Sequence, residues 1–242
     1  DGDGHSDVAI GARRDDDGGS DQGAVWLVML NEVGTVKLQQ KISATSGGFS
    51  GALDSGDQFG AAVAPLGDLD DDGVVDLIVG APRDDDGAED AGAVWILFMN
   101  ADGSVASQQK ISATAGGFTG ALDEDDHFGN AVTATEDLDG DGVVDVAIGA
   151  WQDDDGGADR GALWILFLNV DGTVKGHQKI SDYYGNFAGS LYQGDRFGSS
   201  LAFIGDLDGD ETADLAVGAA GDDDGGTDRG AVWILNLHPT GL

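Results

Sequence analysis

Residues 137–145 read DLDGDGVVD, with aspartates at Asp137, Asp139, Asp141 and Asp145. Carboxylates this close repel. At 4 Å and an effective dielectric near 20, each pair costs about 4 kcal/mol. A loop built this way calls for a cation. Its acids fall at positions 1, 3, 5 and 9, Gly142 at position 6 permits a sharp turn, and Val143 at position 7 offers a backbone carbonyl. Alternate carboxylates around a turn glycine follow the ligand logic of calcium; magnesium keeps more of its water and takes fewer protein ligands.

The loop recurs as DLDDDGVVD at 68–76 and as DLDGDETAD at 206–214, so the period is 69 residues without slippage. DGDGHSD at 1–7 is the same loop lacking its first two residues. The expected calcium ligands are therefore Asp1, Asp3 and Asp7 in the first copy, and Asp68, Asp70, Asp72, Val74 and Asp76 in the second. The third uses Asp137, Asp139, Asp141, Val143 and Asp145, and the fourth Asp206, Asp208, Asp210, Thr212 and Asp214. Glu211 stands at position 6 of the fourth copy, which is expected to be occupied but weaker. Other features keep the register: FG at Phe59, Phe128 and Phe197, GAVW or GALW at 23–26, 92–95, 161–164 and 230–233, and QKIS at 40–43, 109–112 and 178–181. Self-similarity at a long fixed period marks a solenoid, a propeller or an array.

Each repeat holds four short strand-like runs bounded by glycine clusters and no run with a helical apolar period. In the second repeat they are A (59–66), B (76–81), C (92–99) and D (104–112). Run C, AVWILFM, is apolar throughout, as in a strand buried on both faces. Run A carries small residues, which suit a crowded axis. Run D alternates, and it holds five of the eleven basic residues, Lys37, Lys41, Lys110, Lys175 and Lys179. Lysine on an outer strand discourages edge-to-edge pairing. Small inside, apolar in the middle and polar outside is the profile of an all-β propeller blade. The expected units are a partial blade at 1–58 (B to D), blades at 59–127 and 128–196, and a partial blade at 197–242 (A to C). They read as a window on a longer array, either a closed seven-bladed propeller or repeats stacked into a filament.

The repeat resembles the FG-GAP repeat of integrin-α-like β-propellers. The residues that carry the likeness are Phe128-Gly129, the DLDGDGVVD loop, and strand B ending IGA at 148–150 or VGAP at 79–82. The resemblance implies four-stranded blades with calcium in the A–B loop, an extracellular setting and a role in adhesion or ligand binding. The chain departs from the integrin pattern in having no cysteine and no DxSxS metal motif.

A second acidic cluster occupies the B–C loops: DDDGGSDQG at 15–23, DDDGAEDAG at 84–92, DDDGGADRG at 153–161 and DDDGGTDRG at 222–230. It offers a second candidate metal set: Asp15, Asp17 and Asp21; Asp84, Asp86 and Asp90; Asp153, Asp155 and Asp159; Asp222, Asp224 and Asp228. The alternative is a solvated loop capped by glycines. Loops B–C and D–A share one face of an up-and-down blade, opposite the A–B loops. The D–A loops are acidic too, through Asp54, Asp57, Asp123, Asp125, Asp126 and Asp195.

The net charge of −35 argues against nucleic acid and anionic membrane surfaces, both polyanions, and for cations. The absence of cysteine excludes disulfides and thiolate metal sites. No apolar run approaches a membrane span, so no membrane insertion is expected. There is no GxSxG, HExxH or P-loop, and His5, His127, His177 and His238 occupy unrelated repeat positions. Catalysis is not expected. Function is expected where repeats differ: Tyr183, Tyr184 and Tyr192 in the third D–A loop, with Arg196, form a candidate protein- or glycan-binding patch. The expected role is an extracellular calcium-binding adhesion or recognition module. The alternatives are a subunit of an extracellular fibre or surface layer, with self-association, and a carbohydrate-binding or carbohydrate-active propeller.

Overall fold

The computed structural model describes residues 3–237. Asp1 and His238 lie outside them. The described chain is all-β, with fourteen strands and no helix. Four antiparallel sheets follow one another along the sequence. The first comprises β1 (Val8–Ala12), β2 (Ala24–Leu30) and β3 (Val36–Ser43), and the second β4 (Ala62–Gly67), β5 (Asp76–Ala81), β6 (Ala93–Met99) and β7 (Val105–Ser112). The third comprises β8 (Phe128–Ala134), β9 (Val146–Ala150), β10 (Ala162–Leu168) and β11 (Val174–Ile180). The fourth comprises β12 (Phe197–Gly205), β13 (Asp214–Ala219) and β14 (Ala231–Asn236). Within each sheet, strands pair in chain order, the up-and-down pattern of a propeller blade.

The core lies between blades rather than within them. One cluster joins Ile78, Val94 and Ile96 of blade 2 to Phe128, Ile148 and Trp164 of blade 3, and comparable clusters join the other pairs. Both faces of β6 must therefore be apolar, and all seven of its residues are buried. The same C-strand pattern at β14 leaves Val232 70% and Ile234 47% exposed, because no sheet among the described residues covers that face.

FG has a steric explanation. Phe59, Phe128 and Phe197 are fully buried and pack against a phenylalanine of the preceding D–A loop, at 5.1, 5.4 and 5.2 Å between ring centroids. That loop residue (Phe49, Phe118 or Phe187) also meets the C-strand tryptophan Trp95, Trp164 or Trp233 edge-on. Such edge and offset contacts add about 0.5–1.5 kcal/mol per pair beyond area burial. The glycine after each Phe is needed for two reasons. Gly129 has φ 94°, and its carbonyl oxygen lies where a Cβ on Gly80 would sit, so glycine is required on both sides of the blade contact. Main-chain bonds complete the junctions: Phe59, Phe128 and Phe197 donate N–H to the carbonyls of Gln22, Ala91 and Arg160 at 2.9, 3.0 and 2.9 Å.

Candidate metal centres

Each A–B loop is organised by its own aspartates. At position 1, the Asp68 carboxylate accepts N–H from Asp72 and Gly73 at 2.9 and 2.8 Å. Asp137 accepts from Gly140, Asp141 and Gly142, and Asp206 from Gly209, Asp210 and Glu211. At position 5, Asp72, Asp141 and Asp210 accept from the N–H of Val74, Val143 and Thr212. These bonds curl the loop so that carboxylates converge. Ligand atoms of Asp68, Asp70 and Asp76 all lie within 4.8 Å of one another, as do those of Asp137, Asp139 and Asp145. In the fourth loop the gathered set is Asp206, Asp208 and Asp210. The donor chemistry, hard oxygens only, fits a calcium-like ion. Thr212 is 5% exposed and its hydroxyl has no hydrogen-bond partner. Glu211 has φ 69°, a left-handed conformation that Gly73 and Gly142 adopt without a Cβ clash.

Position 9 has a further role that the spacing does not reveal. Asp76, Asp145 and Asp214 are fully buried, and each joins two distant backbone segments. Asp145 accepts N–H from Leu138 in its own loop at 2.9 Å and from Leu168 at the end of β10 at 3.0 Å. Asp76 does the same with Leu69 and Met99, and Asp214 with Leu207 and Leu237. Asp7 accepts from Leu30 at 2.9 Å. Burial pushes the Asp145 carboxyl up to about 6, against the pull of its two N–H donors.

Lysines reach five of the acidic clusters that the sequence assigned to metal. In the A–B loops, Lys37 pairs with Asp3 at 2.8 Å, and Lys175 pairs with Asp139 at 2.9 Å and with Asp141. The corresponding residue in blade 2 is Ala106, so that loop has no strand-D lysine. In the B–C loops, Lys41 bridges Asp15 and Asp17 at 2.7 and 2.6 Å, Lys110 bridges Asp84 and Asp86 at 2.7 and 2.8 Å, and Lys179 bridges Asp153 and Asp155 at 2.6 and 2.5 Å. Each of the three ammonium groups also lies over a tryptophan of its own C strand. The strand-D lysines thus face acidic loops rather than serving only as guards of a strand edge. The third acid of each B–C set stands apart: the Asp21, Asp90, Asp159 and Asp228 N–H groups bond to the Asp16, Asp85, Asp154 and Asp223 carboxylates. Asp222 and Asp224 have no strand-D lysine among the described residues.

The two loop sets do share a face, as the topology requires. Gly56, Asp125 and Gly194 of the D–A loops donate N–H to the B–C carbonyls of Ser20, Glu89 and Ala158 at 2.9, 3.0 and 3.0 Å. On that face Tyr183, Tyr184 and Tyr192 are 70%, 55% and 62% exposed, and the Arg196 guanidinium lies 5.1 Å from the centre of the Trp151 ring. Below the tyrosines, Arg160 is ion-paired to Asp182. No helix among the described residues is long and apolar enough to cross a membrane.

Blades of this topology, with FG at each junction and an acidic A–B loop, define the FG-GAP propeller repeat, and residues 59–97, 128–166 and 197–235 each match the FG-GAP repeat. The chain is an FG-GAP repeat protein. It is similar to integrin α chains: 33% identical over 228 residues to integrin alpha-PS2 of Drosophila melanogaster, covering 92% of this chain and 15% of the relative. It is 31% identical over 222 residues to human integrin alpha-10, covering 90% and 16%, and 30% identical over 200 residues to integrin alpha-3 of Cricetulus griseus, covering 83% and 17%. The chain spans about one sixth of the length of these relatives.

Proposed function

We propose that this chain is a calcium-stabilised, non-enzymatic extracellular propeller segment used in adhesion or recognition. The observation that carries the reading is the recurrent A–B loop, which gathers three carboxylates within 4.8 Å in each of blades 2, 3 and 4. Similarity to integrin α chains supports the adhesion setting. Calcium is held by the carboxylates at positions 1, 3, 5 and 9, with the carbonyls of Val74, Val143 and Thr212 adding to the shell. The ion turns the repulsion of each loop into attraction, so metal binding and blade packing are coupled. Extracellular calcium modules bind at roughly 0.1–1 mM, which suits a protein that works outside cells. The B–C acids at Asp15 and Asp17, Asp84 and Asp86, and Asp153 and Asp155 are assigned to their lysines rather than to a second calcium. A protein or glycan ligand docks on the opposite face, where Tyr183, Tyr184, Tyr192 and Arg196 interrupt the repeat.

Calcium stoichiometry with paired thermal melts tests the assignment. About three to four ions per chain and a large drop in melting temperature on chelation are expected. No bound calcium and no shift would remove the A–B loops from the account.

A further inference from the structure

We propose a second kind of metal site, for one zinc-class transition ion, at the junction of blades 2 and 3 on the face opposite the A–B loops. Its ligands are Asp90, Asp125 and His127. Each places a ligand atom within 4.8 Å of the others. Ligand atoms around a tetrahedral zinc ion at about 2.0–2.2 Å sit roughly 3.3–3.6 Å apart, so the group closes by up to about 1.5 Å when the ion binds.

The imidazole is what separates this cluster from the acidic loops. His127 is 6% exposed, so its ring is held by protein rather than solvent. Its Nδ1 lies 2.7 Å from the Asp125 carbonyl oxygen. A carbonyl only accepts, so Nδ1 carries the hydrogen, and the neutral form of the ring presents its lone pair at Nε2. This is how metal-binding histidines are oriented, with the far nitrogen tied to a carbonyl or carboxylate. Nε2 makes no hydrogen bond and faces the Asp90 carboxylate at 4.0 Å, too far for one and close enough for a shared ion. Trp151 packs beside the ring at 5.7 Å.

The loops themselves are already joined: Asp125 N–H donates to Glu89 O at 3.0 Å and His127 N–H to Asp90 O at 3.2 Å. An ion here therefore clamps the B–C loop of blade 2 to the D–A loop that enters blade 3. The other junctions have the same left-handed corner, with φ 58° at both Gln58 and Arg196, but neither residue offers a metal lone pair of this kind. Among the described residues the site is therefore single. An imidazole with carboxylates favours zinc, copper or nickel, whereas calcium takes oxygen ligands. One competitor is present: Arg83 lies 3.6 Å from Asp90, on a side chain 47% exposed and free to turn to solvent when the ion arrives.

The test is a zinc titration of the whole chain by calorimetry with about 1 mM calcium present, so that the oxygen loops are filled. One stoichiometric tight step is expected above weaker binding to the acidic surface. His127→Gln is expected to weaken that step at least about tenfold, while its melt in metal-free buffer matches the parent's. Arg83→Ala is expected to tighten it. With copper as a spectroscopic probe, nitrogen hyperfine coupling from one imidazole is expected in the parent and absent in His127→Gln. Absence of a stoichiometric step overturns the site. So does an isotherm or imidazole signal that survives His127→Gln, or an Arg83→Ala chain that binds no more tightly. None of these outcomes depends on calcium in the A–B loops, whose failure would appear in the chelation melts instead.

Discussion

Two aspartates of the same loop carry different loads. Asp139 is at position 3, beside Lys175 and near the loop surface. Asp145 is buried and accepts two backbone N–H groups that tie loop to strand. Without metal, Asp139 contributes an exposed ion pair worth about 0–1 kcal/mol. Asp145 contributes charge-assisted bonds worth about 1.5–3 kcal/mol each, and its loss leaves buried donors unsatisfied. On the proposed calcium assignment, both are ligands when the ion is bound. Asp139→Asn should therefore lower the melting temperature in calcium but hardly at all in chelator, while Asp145→Ala should lower it in both. Equal behaviour of the two variants in chelator would show that position 9 has no structural role of its own. The reference for such melts is Glu32→Gln, an exposed turn position.

At the level of the element, the B–C loops of blades 2 and 3 each pack their acids against a strand-D lysine and a buried aspartate from the preceding D–A loop. Asp57 and Asp126 are 3% exposed. Burial, with Asp84 or Asp153 adding like charge nearby, pushes each up to about 7. The folded state then binds protons more tightly than the unfolded chain, whose aspartates titrate near 3.9. Between about pH 4 and 7 the native state holds more protons, so stability falls as pH rises through that window and levels off above it. Asn at these positions mimics the protonated acid and keeps an acceptor for the Asp54 or Asp123 N–H. Asp57→Asn and Asp126→Asn should each raise the melting temperature at pH 8 by about 2–4 °C per kcal/mol gained, and change it little at pH 5. Melts in which the variants gain nothing at pH 8 would remove buried repulsion from the junctions. The strands and the A–B loops were legible in the sequence because both repeat with a fixed register and a known chemistry. The Lys–Asp packing was not, although QKIS recurs in step with DDDG, because composition alone reads lysine on an outer strand as solvated. The hydrogen bonds of Asp145 to Leu168 depend on a pairing of strand end and loop that linear spacing does not show. His127 carried a signal, a histidine where the other corners have Gln58 and Arg196, but only the fold sets it against Asp90.

Across the whole molecule, a net charge of −35 is distributed over both loop faces, and the strand-D lysines offset only part of it. Stability in a repeat protein is set by intrinsic blade terms and nearest-neighbour interfaces, and here the hydrophobic clusters lie at those interfaces. Charge acts against them as a uniform repulsion whose reach is the Debye length, about 30 Å at 0.01 M salt and about 3 Å at 1 M. On the proposed assignment, calcium and salt therefore address the same load by different routes: the ion would neutralise carboxylates within one loop, while salt screens loops from each other. The blade 2 loop carries this load without a strand-D cation, with Asp68, Asp70, Asp71, Asp72 and Asp76 and Ala106 where blades 1 and 3 place Lys37 and Lys175. In chelator, the melting temperature should rise steeply with sodium chloride between about 0.01 and 1 M. With calcium saturating, the same series should be distinctly flatter, and Ala106→Lys should flatten the chelator series by supplying blade 2 with its own cation. Parallel slopes with and without calcium would place the repulsion outside the A–B loops and leave the interfaces alone to set the stability of the array.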